Sequence, residues 1–155
     1  HKLIYKIKDN VELNDIPNES SMLGKANLIK EGNDITIVAY SNMVNVVKEA
    51  IAAEELQDCS IELIDLQTVS PIDYDTIKNS LKKTKRLLVC QEAPSNSSVG
   101  TTVITKIVES ELFHELEVAP KLVSGLHSPM PSAKHLELNV IPQAEDITNA
   151  VKSML

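Results

Sequence analysis

The chain has little aromatic material: no tryptophan, one phenylalanine and three tyrosines in 155 residues, so its core has to be built from Val, Ile, Leu and Ala. It is also short of positive charge, with 15 Lys and Arg against 22 Asp and Glu, a formal net charge of −7. A polyanion does not attract such a protein at long range, which argues against a nucleic-acid partner and against an anionic membrane surface. No run approaches the ~18 to 20 consecutive apolar residues that span a bilayer. The two cysteines, Cys59 and Cys90, lie far apart and outside any CxxC spacing. They suit a reduced compartment, with Cys90 acting as a small core residue. The first residue is His1 rather than Met, so the sequence reads as a fragment or a processed chain from which a targeting peptide could have been lost.

What is present is a rhythm. KLIYKIK alternates apolar and polar at Leu3, Tyr5 and Ile7, the period of a half-buried strand, and the polar stretch NVELNDIPNESSMLG after it suits an exposed arm. Residues 1–24 are read as this arm and 25–155 as the domain. DITIVAY (34–40) predicts a buried strand, and Val44, Val47, Ile51 and Leu56 mark an amphipathic helix over 42–57. IELIDL (61–66) is a second strand. SPIDYDTIKNSLKK opens a helix that either Ser70 or Asp73 would cap, with Tyr74, Ile77 and Leu81 on its buried face. RLLVCQE is a third strand, 100–113 a third helix, PKLVSG (120–125) a fourth strand and 143–155 a last helix. Strands alternating with helices of this length imply right-handed crossovers. The expected fold is α/β: a three-layer sandwich, its mostly parallel sheet covered by helices on both faces.

In such sheets ligands gather at the carboxyl ends of the strands. Asp65 and Glu92 end successive strands and could pair for acid–base work, although strand-end carboxylates more commonly serve turns. The loop in VCQEAPSNSSVGTTV joins a strand to a helix, where phosphates are often held. It has one glycine, Gly100, and neither the GxGxxG nor the GxxxxGK[ST] spacing, and Pro94 removes a donor. Of His1, His114, His127 and His135 only His127 is beside a strand end, and no HxH, HExxH or Cys/His cluster predicts a metal. No serine sits in GxSxG. From the residues alone, the chain is an acidic α/β domain that meets another protein.

The order of several segments says more. GKANLIKEGNDITIVAYSNMV, IELIDLQTVSPIDYDTI, KKTKRLLVCQEAP, LVSGLHSPMP and VIPQAEDITNAVKSML together resemble the C-terminal domain of the beta subunit of 2-oxo-acid dehydrogenases, a transketolase C-terminal-like fold. The pieces GKA, PMP, AKxLE and IPQxxDI favour pyruvate dehydrogenase. The branched-chain 2-oxo-acid and acetoin dehydrogenase beta chains share much of the pattern. The matching domain of a transketolase or deoxyxylulose-phosphate synthase is a rival within the superfamily, and a free-standing small-molecule binding domain is a rival outside it.

The resemblance implies a domain of a heterotetramer that decarboxylates a 2-oxo acid on thiamine diphosphate and Mg and passes the acyl group to a lipoyl acyltransferase. It implies an alpha subunit, a second beta subunit and the acyltransferase's subunit-binding domain as partners. Cofactor and metal are expected to be held elsewhere in the full enzyme, with no catalytic, cofactor or metal residue in this fragment. Glu117 takes the family's acidic docking position and Leu155 would supply a terminal carboxylate. The implied location is an organelle (mitochondrial matrix or plastid) in a eukaryote, or the cytoplasm in a bacterium. The family's usual HEAP is QEAP here, SNSSVGTT replaces a glycine-rich run, and His127 stands where Asp is common.

Overall fold

Five strands form one mixed sheet in the computed structural model, which describes Lys8 and residues 23–155. The expected strand over 2–8 and most of the arm over 1–24 lie outside the described residues. In chain order the elements are β1 (Asn27–Lys30), β2 (Ile35–Ala39), α1 (Met43–Ile51), β3 (Ile61–Asp65), α2 (Tyr74–Thr84), β4 (Leu87–Pro94), α3 (Val99–Val108), β5 (Lys121–Gly125), α4 (Lys134–Glu137) and α5 (Ala144–Lys152). The sheet order is β1-β3-β2-β4-β5; β2 is parallel to β3 and β4, and β4 to β5, whereas β1 runs antiparallel to β3.

β2 is central and buried along its whole length. Its alternate side chains serve two cores, as the period of a strand requires. Ile35, Ile37 and Ala39 pack with Val47 of α1 and with Ile147 and Val151 of α5. Val38 points the other way, with Ile64, into Ile77 and Leu81 of α2 and Val103 and Ile107 of α3. Thr36, on the same face as Val38, satisfies its buried hydroxyl against Ser80 (2.5 Å) and Thr84 (2.6 Å) of α2. Helices thus cover both faces.

The ends differ from the sequence expectations where capping takes over from periodicity. α1 stops at Ile51, and 54–56 form a separate 3₁₀ turn that buries Leu56. Asp73, not Ser70, caps α2 by accepting from the Thr76 N–H at 3.2 Å. α3 begins at Val99 behind a Ser98–Thr101 capping box and ends at Val108, with a 3₁₀ turn over Glu111–Glu115. The edge strand β1 and the short α4 were not expected.

Candidate functional site

The strand order separates the candidates into two groups at opposite ends of the sheet. At the carboxyl end, β2 runs between β3 and β4, so Asp65 and Glu92 stand two strand spacings apart, roughly 10 Å, rather than side by side. Asp65 Oδ1 accepts the Gln67 N–H at 3.0 Å, which holds the backbone where Gln67 takes a positive φ of 50°. That is the turn-stabilising role. Glu92 instead faces a crevice of about 350 Å³ between the ends of β2 and β4, lined by Tyr40, Ser41, Glu92, Ala93, Pro94 and Met130. Burial pushes the Tyr40 hydroxyl above its ordinary pKa, and the Glu92 carboxylate adds to the rise. His127 lies exposed in the loop beyond β5 and is not among the crevice residues.

The turn from β4 to α3 is filled by its own side chains. Gln91 is fully buried; its Nε2 donates to the carbonyls of Ala93 (2.9 Å) and Pro94 (3.0 Å), and its Oε1 accepts the Gly100 N–H at 2.7 Å. Ser98 Oγ accepts the Thr101 N–H at 3.3 Å. A phosphate at a helix N-terminus needs those amides free, so the turn does not fit a diphosphate. Gly100 packs closely: a Cβ there would lie 2.6 Å from both Gln91 Oε1 and Leu122 Cδ1, so those side chains would have to shift.

At the amino end lie Glu117 and Leu155. The Glu117 N–H donates to the Lys85 carbonyl at 3.0 Å, which fixes its backbone beside the start of β4. Its carboxylate meets Arg86, with Nη2 2.6 Å from Oε2 and the Glu117 side chain 47% exposed. Arg86 Nη1 also donates to the Asp34 carbonyl at 3.2 Å, tying the pair to the start of β2. Leu155 follows the end of α5, which Lys121 of β5 anchors by donating to Ser153 Oγ at 2.6 Å. Met154 is buried and Leu155 exposed.

Sequence reasoning missed Arg86, although a signal was there. It is the sole arginine in the chain, placed at a strand start where only a planar fork reaches a carbonyl and a carboxylate together. Tyr40 and Met130 were missed as partners of Glu92 because they are about 50 and 40 residues from it in sequence and meet only through the sheet.

Residues 24–147 match the family described as transketolase, C-terminal domain. A pyruvate dehydrogenase E1 component subunit beta from Rickettsia bellii is 39% identical over 150 residues, which are 97% of this chain and 44% of that protein. The mitochondrial pyruvate dehydrogenase E1 component subunit beta of Pisum sativum is 38% identical over 130 residues, 84% of this chain and 36% of that one. The chain therefore spans less than half the length of these relatives. Among solved structures, one described as a split-gene transketolase, inactive beta4 tetramer, superposes with a TM-score of 0.73 at 24% identity, over 90% of this chain and 45% of that one; it shares the fold. With five strands, two cores and segment order all in agreement, the chain belongs to the transketolase C-terminal domain family.

Proposed function

We propose that this is the assembly domain of a thiamine-diphosphate-dependent pyruvate dehydrogenase beta subunit. The observation that carries the reading is the identity of 36–44% to proteins named pyruvate dehydrogenase E1 component subunit beta, sustained over most of the chain. In this reading the domain contributes no catalytic group. It supports the contact with a second beta subunit, and it stands with the alpha subunit in an enzyme that decarboxylates pyruvate and passes the acetyl group to a lipoyl acyltransferase. Thiamine diphosphate and Mg belong to the full enzyme. The chemistry that thiamine diphosphate would supply there is carbanion stabilisation on loss of carbon dioxide. This domain's own residues position subunits, and the β4–α3 turn, closed by Gln91 and Ser98, has no part in holding the cofactor.

The docking surface for the acyltransferase's subunit-binding domain is the amino end of the sheet, where Glu117 and the exposed Leu155 beyond α5 would meet the partner. Two features support it. Arg86 pins Glu117 through one carboxylate oxygen, and the Lys121–Ser153 bond holds the end of α5 on the same side of the sheet. Charge-assisted contacts of this kind steer association and fix register. A calorimetric titration of the domain with the subunit-binding domain of its own acyltransferase tests the reading. Saturable binding, weakened when residues are added after Leu155, is expected. Absence of binding by a folded, dimeric sample would overturn the docking role.

A further inference from the structure

The amino end of the sheet holds more positive charge than a carboxylate docking site accounts for. The turn from α2 into β4 reads KKTKR (82–86), four cations in five residues of a chain whose net charge is −7. Two of them are answered from within: Lys83 pairs with Glu62, and Arg86 with Glu117. Lys82 lines a groove between α2 and the 3₁₀ turn after α3, together with Glu111 and Glu115. Lys85 ends α2 at a positive φ of 55° and pairs with no carboxylate among the described residues.

Lys121 repeats the pattern on the neighbouring strand. It opens β5 opposite Leu88 of β4, is exposed, and donates to Ser153 Oγ just beyond α5. It thereby joins the surroundings of Glu117, whose N–H is bound to the Lys85 carbonyl, to those of the exposed Leu155. Lys121, too, has no acid partner among the described residues. Two carboxylates at this end are already taken, Glu117 by Arg86 and Glu55 by Lys152 of α5. A partner with basic groups alone is therefore poorly matched to this face. A cation set against Glu117 comes close to Arg86, Lys85 and Lys121, and like charges juxtaposed across an interface cost affinity.

We propose that the partner docking at this end presents an acidic group to Lys121 and Lys85 beside the basic group it presents to Glu117, so that the surface selects a pair of opposite charges. This inference rests on the reading of Glu117 and Leu155 as a docking surface, and it adds the sign and the place of a second charge. The acidic chain as a whole repels a nucleic-acid strand at long range, so the two lysines serve an acidic group on a protein. Opposite charges set side by side also fix the register of the partner, which a single ion pair leaves free to rotate.

Titration calorimetry of the chain with the subunit-binding domain of its own acyltransferase tests it. Lys121→Gln and Lys85→Gln are each expected to weaken binding about fivefold, with Lys121→Arg restoring it, and to leave the urea midpoint unchanged. The sign of the effect decides. If the partner is basic throughout, removing either positive charge tightens binding, and tightening or no change would overturn the proposal. Weakening that follows only from a changed oligomeric state in sedimentation would also overturn it, by assigning the lysines to a second copy of the chain. Glu117→Gln on the same samples keeps the two failures apart. If it alone weakens binding, the docking surface stands and the second charge fails. If the lysine variants weaken binding and Glu117→Gln does not, the acidic contact stands and the role of Glu117 fails.

Discussion

Arg86 Nη2 sits 2.6 Å from Glu117 Oε2, and the same guanidinium reaches the Asp34 carbonyl through Nη1 at 3.2 Å. One residue thus ties the starts of β2 and β4 to the carboxylate proposed for docking. The pair is partly exposed, so its net contribution to folding is small, about 0 to 1 kcal/mol. Its larger effect is to fix where Glu117 presents its second oxygen. Glu117→Gln is expected to weaken acyltransferase binding by about tenfold (~1.4 kcal/mol) with little change in the urea midpoint. Titration calorimetry and urea denaturation of the same variant check the two halves of that statement.

Gln91 closes the β4–α3 turn with three hydrogen bonds and no exposure. Gln91→Leu keeps much of the volume and strands two carbonyls and the Gly100 N–H, so a loss of roughly 2 to 4 kcal/mol is expected. Gly100→Ala drives a methyl toward Gln91 Oε1 and Leu122 Cδ1 and should cost about 1 to 3 kcal/mol by overpacking. Denaturant midpoints measure both; a neutral Gln91→Leu would mean that water satisfies the turn.

Asp73 and Glu62 predict the acid limb of stability. Burial alone would raise both carboxyls. For Glu62 the Lys83 ammonium, the Ser80 hydroxyl and the Gly32 N–H outweigh it, and for Asp73 the N–H groups of Ala26 and Thr76, the Thr76 hydroxyl and Lys25 do so, leaving each below its ordinary value. A carboxyl depressed in the folded state adds stability that is present above its unfolded pKa, about 4, and is lost as pH falls through the folded one. Stability should therefore be flat from neutrality to about pH 5 and fall below it. Asp73→Asn and Glu62→Gln should each lower stability at pH 7 and flatten that fall. Urea midpoints between pH 7 and 3 provide the check, and an unchanged slope in both variants would refute the assignment.

Asp73→Ala also removes a helix cap and the anchor of the entering chain at Ala26. Cap loss alone costs about 1 to 2 kcal/mol. Proteolysis near residue 24 should accelerate by more than the global loss of stability accounts for, as limited trypsin digestion at Lys25 would show.

The two thiols should separate cleanly. Cys90 is fully buried, and burial pushes its thiol far up; Cys59 is only partly buried, and burial together with Asp34 raises it less. One thiol is expected to react with a maleimide in the native protein at pH 8 and both in urea, since the thiolate is the reacting form. Native labelling of Cys90 would contradict the packing of β4.

The alternation of strand and helix was legible because each signal is local. ITIVA, IELID and the spacing of Val103 and Ile107 carry their period within a few residues. β1 was missed because NLIK is four residues long, with only Ile29 partly buried, and it is a strand only by virtue of its hydrogen bonds to β3. The stops of α1 and α3 were placed late because apolar residues at helical spacing continue into the 3₁₀ turns, where Leu56 and Leu112 are buried all the same. Of the site candidates, Glu117 entered only through the order of the family's segments, since nothing in its own neighbours distinguishes it from other surface carboxylates. The resemblance pointed to the family, but it could not show that Gln91 closes the β4–α3 turn from within.

By itself, then, the sequence determined an aliphatic α/β core with a buried central strand and helices able to cover both faces, because burial periodicity is written residue by residue. The tertiary structure alone decided that β2 lies between β3 and β4, which parts Asp65 from Glu92 and gives Glu92 the company of Tyr40 and Met130. It likewise brought Arg86 to Glu117 and placed the entry of the chain and the end of α5 at opposite ends of the sheet. Strand order follows from which crossovers bury most apolar surface on a twisted sheet, a property of the whole chain that no local pattern encodes.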